Sequence, residues 1–156
     1  MKNFSIDKDA DGILVVTFDM PDRSMNVLNV SSMSEIAELT EMIKSDKSIN
    51  GAVITSGKKA FCAGADLEEM GSNLSGARGE MKKDPEGAKA ELFKSVYKLN
   101  KLFRDLEVCG KPIAAALNGL ALGGGFEFVM ACTGRFIASD NKTAKVGLPE
   151  ALIGLL

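Results

Sequence analysis

Apolar and polar residues alternate at the start of the chain, as they do along a half-buried strand, and then switch to a helical period. Asn3–Asp7 and Ile13–Asp19 read as two strands, with the Asp11-Gly12 pair between them as a hairpin turn. Pro21 to Asn29 is a loop, and Asn29 or Ser31 can cap a helix running to about Lys44. Val30, Met33, Ile36, Ala37, Leu39 and Ile43 recur at helical spacing and predict its buried stripe. Gly51–Ser56 is a short apolar run of strand type, which completes a strand–strand–helix–strand opening. Gly57–Asp66 is a loop, followed by a brief helix near Leu67–Met70. The stretch Gly71–Gly87 holds four glycines and a proline and predicts a mobile surface excursion. A long amphipathic helix is expected over Ala88 to Glu107, with Leu92, Phe93, Val96, Leu99, Leu102, Phe103 and Leu106 inward. Gly110 and Pro112 end it. Ile113–Leu117 is the next buried strand. It leads into a glycine-rich turn, with Glu127–Cys132 on the helix that this turn opens. Arg135–Ala138 and Ala144–Val146 are short strand candidates around a polar turn. Pro149 is expected at the first position of a further helix, with Glu150 in its opening turn.

Composition narrows the function more than the fold. With 156 residues, 46% hydrophobic and 26% charged, the chain is a one-domain globular sequence with enough apolar surface for a core. Its formal net charge of −2 argues against nucleic acid or an acidic membrane surface as a partner. The pairs Lys58-Lys59 and Lys82-Lys83 read first as solvated surface. No apolar run approaches the roughly 20 residues of a membrane span. The start, Met1–Asp7, carries charge where a signal peptide is apolar, so a cytoplasmic location is expected. The three cysteines have no paired spacing, which argues against a disulfide scaffold or a zinc site. The chain has no histidine, which removes Ser-His-Asp and Cys-His catalysis and leaves Cys62 a poor candidate nucleophile. Proton transfer must fall mainly to carboxylates.

The candidate chemistry lies in Asn118-Gly-Leu-Ala-Leu-Gly-Gly-Gly-Phe-Glu127 and in Gly147-Leu-Pro-Glu150. Gly123–Gly125 strip a turn of side chains, so a ligand could reach backbone N–H groups. Glu127 stands two residues beyond, in an otherwise apolar run from Phe126 to Cys132, where a carboxylate needs a partner or a cleft. Exposed amides beside two carboxylates suit chemistry on a thioester or other carbonyl, because the amides hold an oxyanion and the carboxylates move protons. Nucleotide readings of the turn fail. After Gly119 and Gly124 the phosphate-loop pattern finds Gly125 and Phe126 in place of Lys and Ser or Thr. The dinucleotide pattern fits Gly123 and Gly125 but ends on Phe128. Ala60-Phe-Cys-Ala-Gly-Ala-Asp66 supplies a second glycine-bearing loop after a buried strand.

Three segments together resemble the crotonase (enoyl-CoA hydratase/isomerase) superfamily: Phe61–Met70, Lys111–Glu127 and Gly147–Gly154. The resemblance implies an α/β fold, a spiral of repeated β-β-α units truncated on its C-terminal side. It implies an oxyanion hole of the Ala65 and Gly124 N–H groups, with Glu127 and Glu150 as the catalytic pair. Met25, Ala63 and Asp66 would lie in loops that contact CoA, and Lys58 or Lys59 could meet its phosphates. Two glutamates favour hydration of a 2-enoyl-CoA, which needs no cofactor. The alternatives are double-bond isomerisation with one carboxylate, or a non-catalytic acyl-CoA-binding module. The loop Arg23–Leu28 and the Gly71–Gly87 stretch resemble the multifunctional α-subunits of fatty-acid β-oxidation. There the hydratase region precedes an NAD-dependent 3-hydroxyacyl-CoA dehydrogenase region, of which these residues show nothing. An oligomer, with a thiolase subunit in the full complex, is the expected assembly. Residues 1–156 are therefore expected to be the N-terminal part of a hydratase domain, with little activity in isolation.

Overall fold

The computed structural model describes residues 1–154, apart from the side chains of Leu74, Ala77, Arg78 and Ile153. The chain opens with β1 (Phe4–Lys8) and β2 (Ile13–Phe18), an antiparallel pair in which Phe4 faces Phe18 and the two rings stack at 4.3 Å. Asp9 holds the turn by accepting the N–H groups of Asp11 and Ile13. Then follow α1 (Val30–Ser45), β3 (Gly51–Ser56), α2 (Leu67–Lys83), α3 (Pro85–Glu107), β4 (Ile113–Leu117) and β5 (Ala121–Leu122). The last elements are α4 (Gly124–Met130), β6 (Gly134–Ile137), β7 (Val146–Gly147) and a 3₁₀ turn at Glu150–Ile153.

The order is a repeated strand–strand–helix unit. In the first and third units it is complete, as β1-β2-α1 and β4-β5-α4. In the second, the short strand shrinks to a single bridge of Cys62 with Ala121. The long strands form one sheet, ordered β1-β2-β3-β4-β6 and parallel from β2 onward, while β5 and β7 pair separately. This is the α/β spiral that the resemblance implied. The core lies between the main sheet and the helices, centred on Val16, Phe18, Ile36, Ile54, Phe61 and Phe128, all fully buried.

Helix α1 starts where expected. Asn29 accepts the Ser32 N–H at 2.9 Å and Ser32 Oγ accepts the Asn29 N–H at 3.0 Å, a reciprocal cap. Its buried stripe is Ile36, Leu39, Thr40 and Ile43, flanked by Ser32 and Glu35, whereas the expected Val30 and Ala37 are exposed. Glu35 can be buried because its carboxylate is satisfied, accepting the backbone N–H groups of Lys2 and Asn3 and the Asn3 side-chain amide.

The Gly71–Gly87 stretch lies at the surface as expected, but it is helical on both sides of Asp84 rather than an irregular excursion. Asp66 caps α2 by accepting the Glu68 and Glu69 N–H groups. Acidic Glu68 and Glu69 at its start and basic Lys82 and Lys83 at its end complement the helix dipole. These contributions outweigh the roughly 1 kcal/mol that each interior glycine costs relative to alanine. Asp84 then ends α2 and caps α3 through the Gly87 N–H, with Pro85 at the first turn. The expected inner face of α3 is also corrected. Leu106 is buried and Leu102 and Phe103 pack on the core, but Leu92, Phe93 and Val96 are exposed. Only the C-terminal half of α3 reaches the core. Its N-terminal half has α2 beside it.

Candidate active site

Two glycine-bearing loops are stitched together by main-chain hydrogen bonds. The N–H groups of Phe61 and Cys62 both reach the Leu120 carbonyl, and the Leu122 N–H returns to the Cys62 carbonyl at 3.1 Å. The glycines on this seam admit protein backbone rather than ligand. A Cβ on Gly119 would collide with the Lys59 carbonyl, and one on Gly125 would lie 2.7 Å from the Cys62 oxygen. The glycines facing the carboxylates are the other two. Gly123 adopts φ +51, and a Cβ there would sit 2.6 Å from Glu150 Oε1. A Cβ on Gly124 would sit 3.7 Å from Glu127 Oε2.

A third segment fixes the direction of the amides. Residues 26–28 run parallel to residues 63–66: the Ala63 N–H reaches the Asn26 carbonyl at 2.9 Å and the Leu28 N–H reaches Gly64 at 2.8 Å. The Asp66 N–H returns to Leu28 at 2.9 Å. In such a bridge Ala65 itself is skipped, and its N–H points away from residues 26–28. No acceptor among the described residues takes the N–H of Ala65 or of Gly124. The two stand close, since a Cβ on Gly64 (φ +99) would lie 2.9 Å from the Leu122 oxygen and 3.8 Å from the Gly124 nitrogen.

Both carboxylates lie over this turn and arrive by different routes. Glu127 is in the first turn of α4. Glu150 comes by way of the β5–β7 ladder, where Ala121 pairs with Val146 and Leu122 with Gly147, extended by the Gly123 N–H to the Gly147 carbonyl at 2.9 Å. Pro149 stands just before the 3₁₀ turn rather than opening an α-helix. Partial desolvation raises the Glu127 pKa from its ordinary value, and the neighbouring Glu150 charge adds to the rise. A shallow cavity of about 260 Å³ opens beside Glu127 between α3 and α4, with Phe103, Arg104 and Met130 in its wall.

The remaining sequence candidates are spread around these loops. Met25 is exposed and Ala63 half-buried. Asp66 is buried and fully engaged, with Oδ1 capping α2 and Oδ2 paired with Arg23 at 2.7 Å. Lys58 pairs with Asp19 at 2.7 Å, whereas Lys59 is exposed. Cys62 is buried, and desolvation pushes its thiol up to about 11, which fits a packing role. Among the described residues no group of three or more His, Cys, Asp or Glu could hold a metal ion.

Sequence reasoning quoted the segments that hold Asn26 and Asn118 but gave neither residue a role. Asn118 donates to the Ser56 and Lys58 carbonyls, tying the end of β4 to the end of β3. Asn26 is fully buried, and its one visible signal was an amide set between apolar Met25 and Val27.

A β-β-α spiral that brings two unengaged main-chain amides and two carboxylates to one glycine turn defines a class of scaffold suited to acyl-thioester chemistry. Residues 8–156 match the family Enoyl-CoA hydratase/isomerase, and the chain belongs to it. It is 38% identical over 144 residues to the fatty acid oxidation complex subunit alpha of Pseudomonas syringae pv. tomato, covering 92% of this chain and 18% of that protein. An enoyl-CoA hydratase/carnithine racemase from Magnetospirillum magneticum superposes with a TM-score of 0.78 at 29% identity. That match covers 100% of this chain and 52% of that structure. The enoyl-CoA hydratase of Bacillus anthracis gives 0.74 at 26%, covering 97% and 52%. The chain thus spans about a fifth of the length of the curated relatives and about half of the solved structures.

Proposed function

We propose that this chain carries the oxyanion hole and the acid–base pair of a 2-enoyl-CoA hydratase acting in fatty-acid β-oxidation. The observation that supports it most is the convergence of two unengaged amides, Ala65 and Gly124, with Glu127 and Glu150 over one turn. The thioester oxygen accepts both N–H groups, which draw electron density from C3. Water adds at C3 as Glu127 takes one of its protons, and the electrons of the C2–C3 double bond move into the thioester as an enolate held by the two amides. Glu150 then delivers a proton to C2, the enolate collapses, and the product is the 3-hydroxyacyl-CoA. Exchange with solvent restores the starting protonation states. The raised pKa makes Glu127 a stronger base than an ordinary glutamate wherever the pH keeps it ionised.

Met25 and Ala63 belong to the surface that would receive CoA, and Lys59 is an exposed cation that could meet its phosphates. The 38% identity to a fatty acid oxidation α-subunit favours a multifunctional protein with an NAD-dependent dehydrogenase region and a thiolase partner. The test uses the intact enzyme and crotonyl-CoA. Glu127→Gln and Glu150→Gln should each lower kcat by about 10²-fold or more with a smaller change in KM, as for a lost general acid or base. Wild-type turnover in Glu127→Gln would remove its assigned role. Faster isomerisation of a 3-enoyl-CoA that survives the same substitution would point to an isomerase instead.

A further inference from the structure

We propose that Asn26 is a positioning residue that sets the direction of the Ala65 N–H, and so acts on the oxyanion through a neighbouring strand. This rests on the hydratase reading above. Ala65 has only a methyl side chain and Gly64 none, so neither can anchor itself by side-chain packing. Their direction comes from the main chain they lie against, residues 26–28, through the three hydrogen bonds that flank Ala65. The Asn26 side chain anchors the start of residues 26–28, while the Ser32 hydroxyl donates to the Val27 carbonyl at 3.0 Å and Leu28 packs into the core.

That side chain has no exposure to solvent and uses both ends of its amide. Oδ1 accepts the Met20 N–H at 3.0 Å. Nδ2 shares its two hydrogens among the Phe18 carbonyl at 2.7 Å, Ser56 Oγ at 2.9 Å and the Phe61 carbonyl at 3.1 Å. One amide therefore joins the end of β2, the end of β3 and the start of the Phe61–Asp66 loop. Ser56 extends the knot by donating to the Ala60 carbonyl at 2.8 Å and accepting the Lys58 N–H at 2.9 Å. The chemistry requires an acceptor and a double donor on one short stem. Aspartate keeps the acceptor but would set a carboxylate against two carbonyl oxygens. Serine is too short to span the three segments, and alanine leaves the Met20 N–H and Phe61 carbonyl without this partner.

Oxyanion stabilisation depends on donors placed within a few tenths of an ångström of the developing charge, and a displacement of about 1 Å costs on the order of 10²-fold. A role confined to stability would lower the melting temperature but leave kcat per folded site unchanged. A positioning role lowers kcat of the folded enzyme. It also reduces polarisation of the bound thioester carbonyl, which is read as the red shift of a conjugated aryl-enoyl-CoA on binding.

The experiment compares the intact wild-type enzyme with Asn26→Ser, Asn26→Ala and Ser56→Ala, each assayed well below its own melting temperature. The expected result is a kcat loss of about tenfold or more in the Asn26 variants with KM changed less, a smaller loss in Ser56→Ala, and a red shift that shrinks in the same order. Should Asn26→Ala fail to fold, Asn26→Ser and Ser56→Ala still decide the matter. Folded Asn26→Ser with wild-type kcat and red shift, or graded stability loss with kcat unchanged, would overturn the proposal while leaving the hydratase reading intact. A wild-type enzyme that neither hydrates the enoyl-CoA nor shifts its absorption would overturn both.

Discussion

The knot around Asn26, Phe61 and Leu122 and the hairpin of α2 and α3 are both built from ordinary residues, yet they are held in opposite ways. In the knot, main-chain groups of three loops bond to one another, and glycines allow backbones to approach so closely that a single added methyl group would collide. In the hairpin, bonds run mostly within each helix, and the ion pairs among the described residues are the exposed Lys83–Glu80, Lys89–Glu86, Lys94–Glu91, Lys101–Asp105 and Arg104–Glu107. A Cβ on Gly71, Gly76 or Gly79 would meet nothing within 4 Å. The same residue type is thus indispensable in one place and incidental in the other. Close backbone packing is intolerant of change, and surface helix is not.

The contrast can be pressed from its strongest side. Gly125→Ala puts a Cβ 2.7 Å from the Cys62 oxygen and should cost about 1–3 kcal/mol of stability, since overpacking forces the start of α4 to move. Hydration should fall with it, because Glu127 rides on that helix. An unchanged urea midpoint and rate would show that the seam is slack. Asn29→Ala removes the reciprocal cap of α1 and should cost about 1 kcal/mol, again read from the urea midpoint.

Smaller still is a pH effect with a definite sign. The Glu127 pKa is raised in the folded chain, so its contribution is fully present below the ordinary glutamate range and is lost as pH rises through the raised value. Glu127→Gln should flatten stability against pH across that window. A slope of opposite sign in the wild type would show the carboxyl to be stabilised as an anion. At the weak end of the contrast, Phe93→Ser should change stability by less than about 0.5 kcal/mol, because the ring is 71% exposed and, among the described residues, stacks on Tyr97 alone. A loss above about 1 kcal/mol would mean that the hairpin is held by more than its exposed stack.

The regularities of the sequence were legible where one local signal was enough. Gly51–Ser56 and Ile113–Leu117 are short apolar runs bounded by turn residues, and both strands have those limits. The glycines of α2 misled because their count was weighed without the Asp66 cap and the charge order that outweigh them. On α3 the apolar stripe exists, but periodicity names a face without naming what covers it. Strands β5 and β7 have two residues each and exist because their main chains pair; of the expected Ala144–Val146 strand only Val146 belongs to β7, and β5 had no pattern to show it. The glycine turn shows the same limit at the candidate site. A sequence can say that something approaches Gly125 closely, but not that it is Cys62 rather than a ligand.

The unengaged amides belong to the main chain, and that has a consequence for anyone mapping this protein by mutation. Replacing Ala65 with another residue leaves its N–H where it was, so a scan that swaps side chains one at a time would pass over the atoms proposed to meet the substrate. Its strong signals would fall instead on buried positions such as Asn26 and Gly125, which a reader of the scan would file under folding. The genetic footprint of such a site is displaced from its chemistry by one layer of backbone.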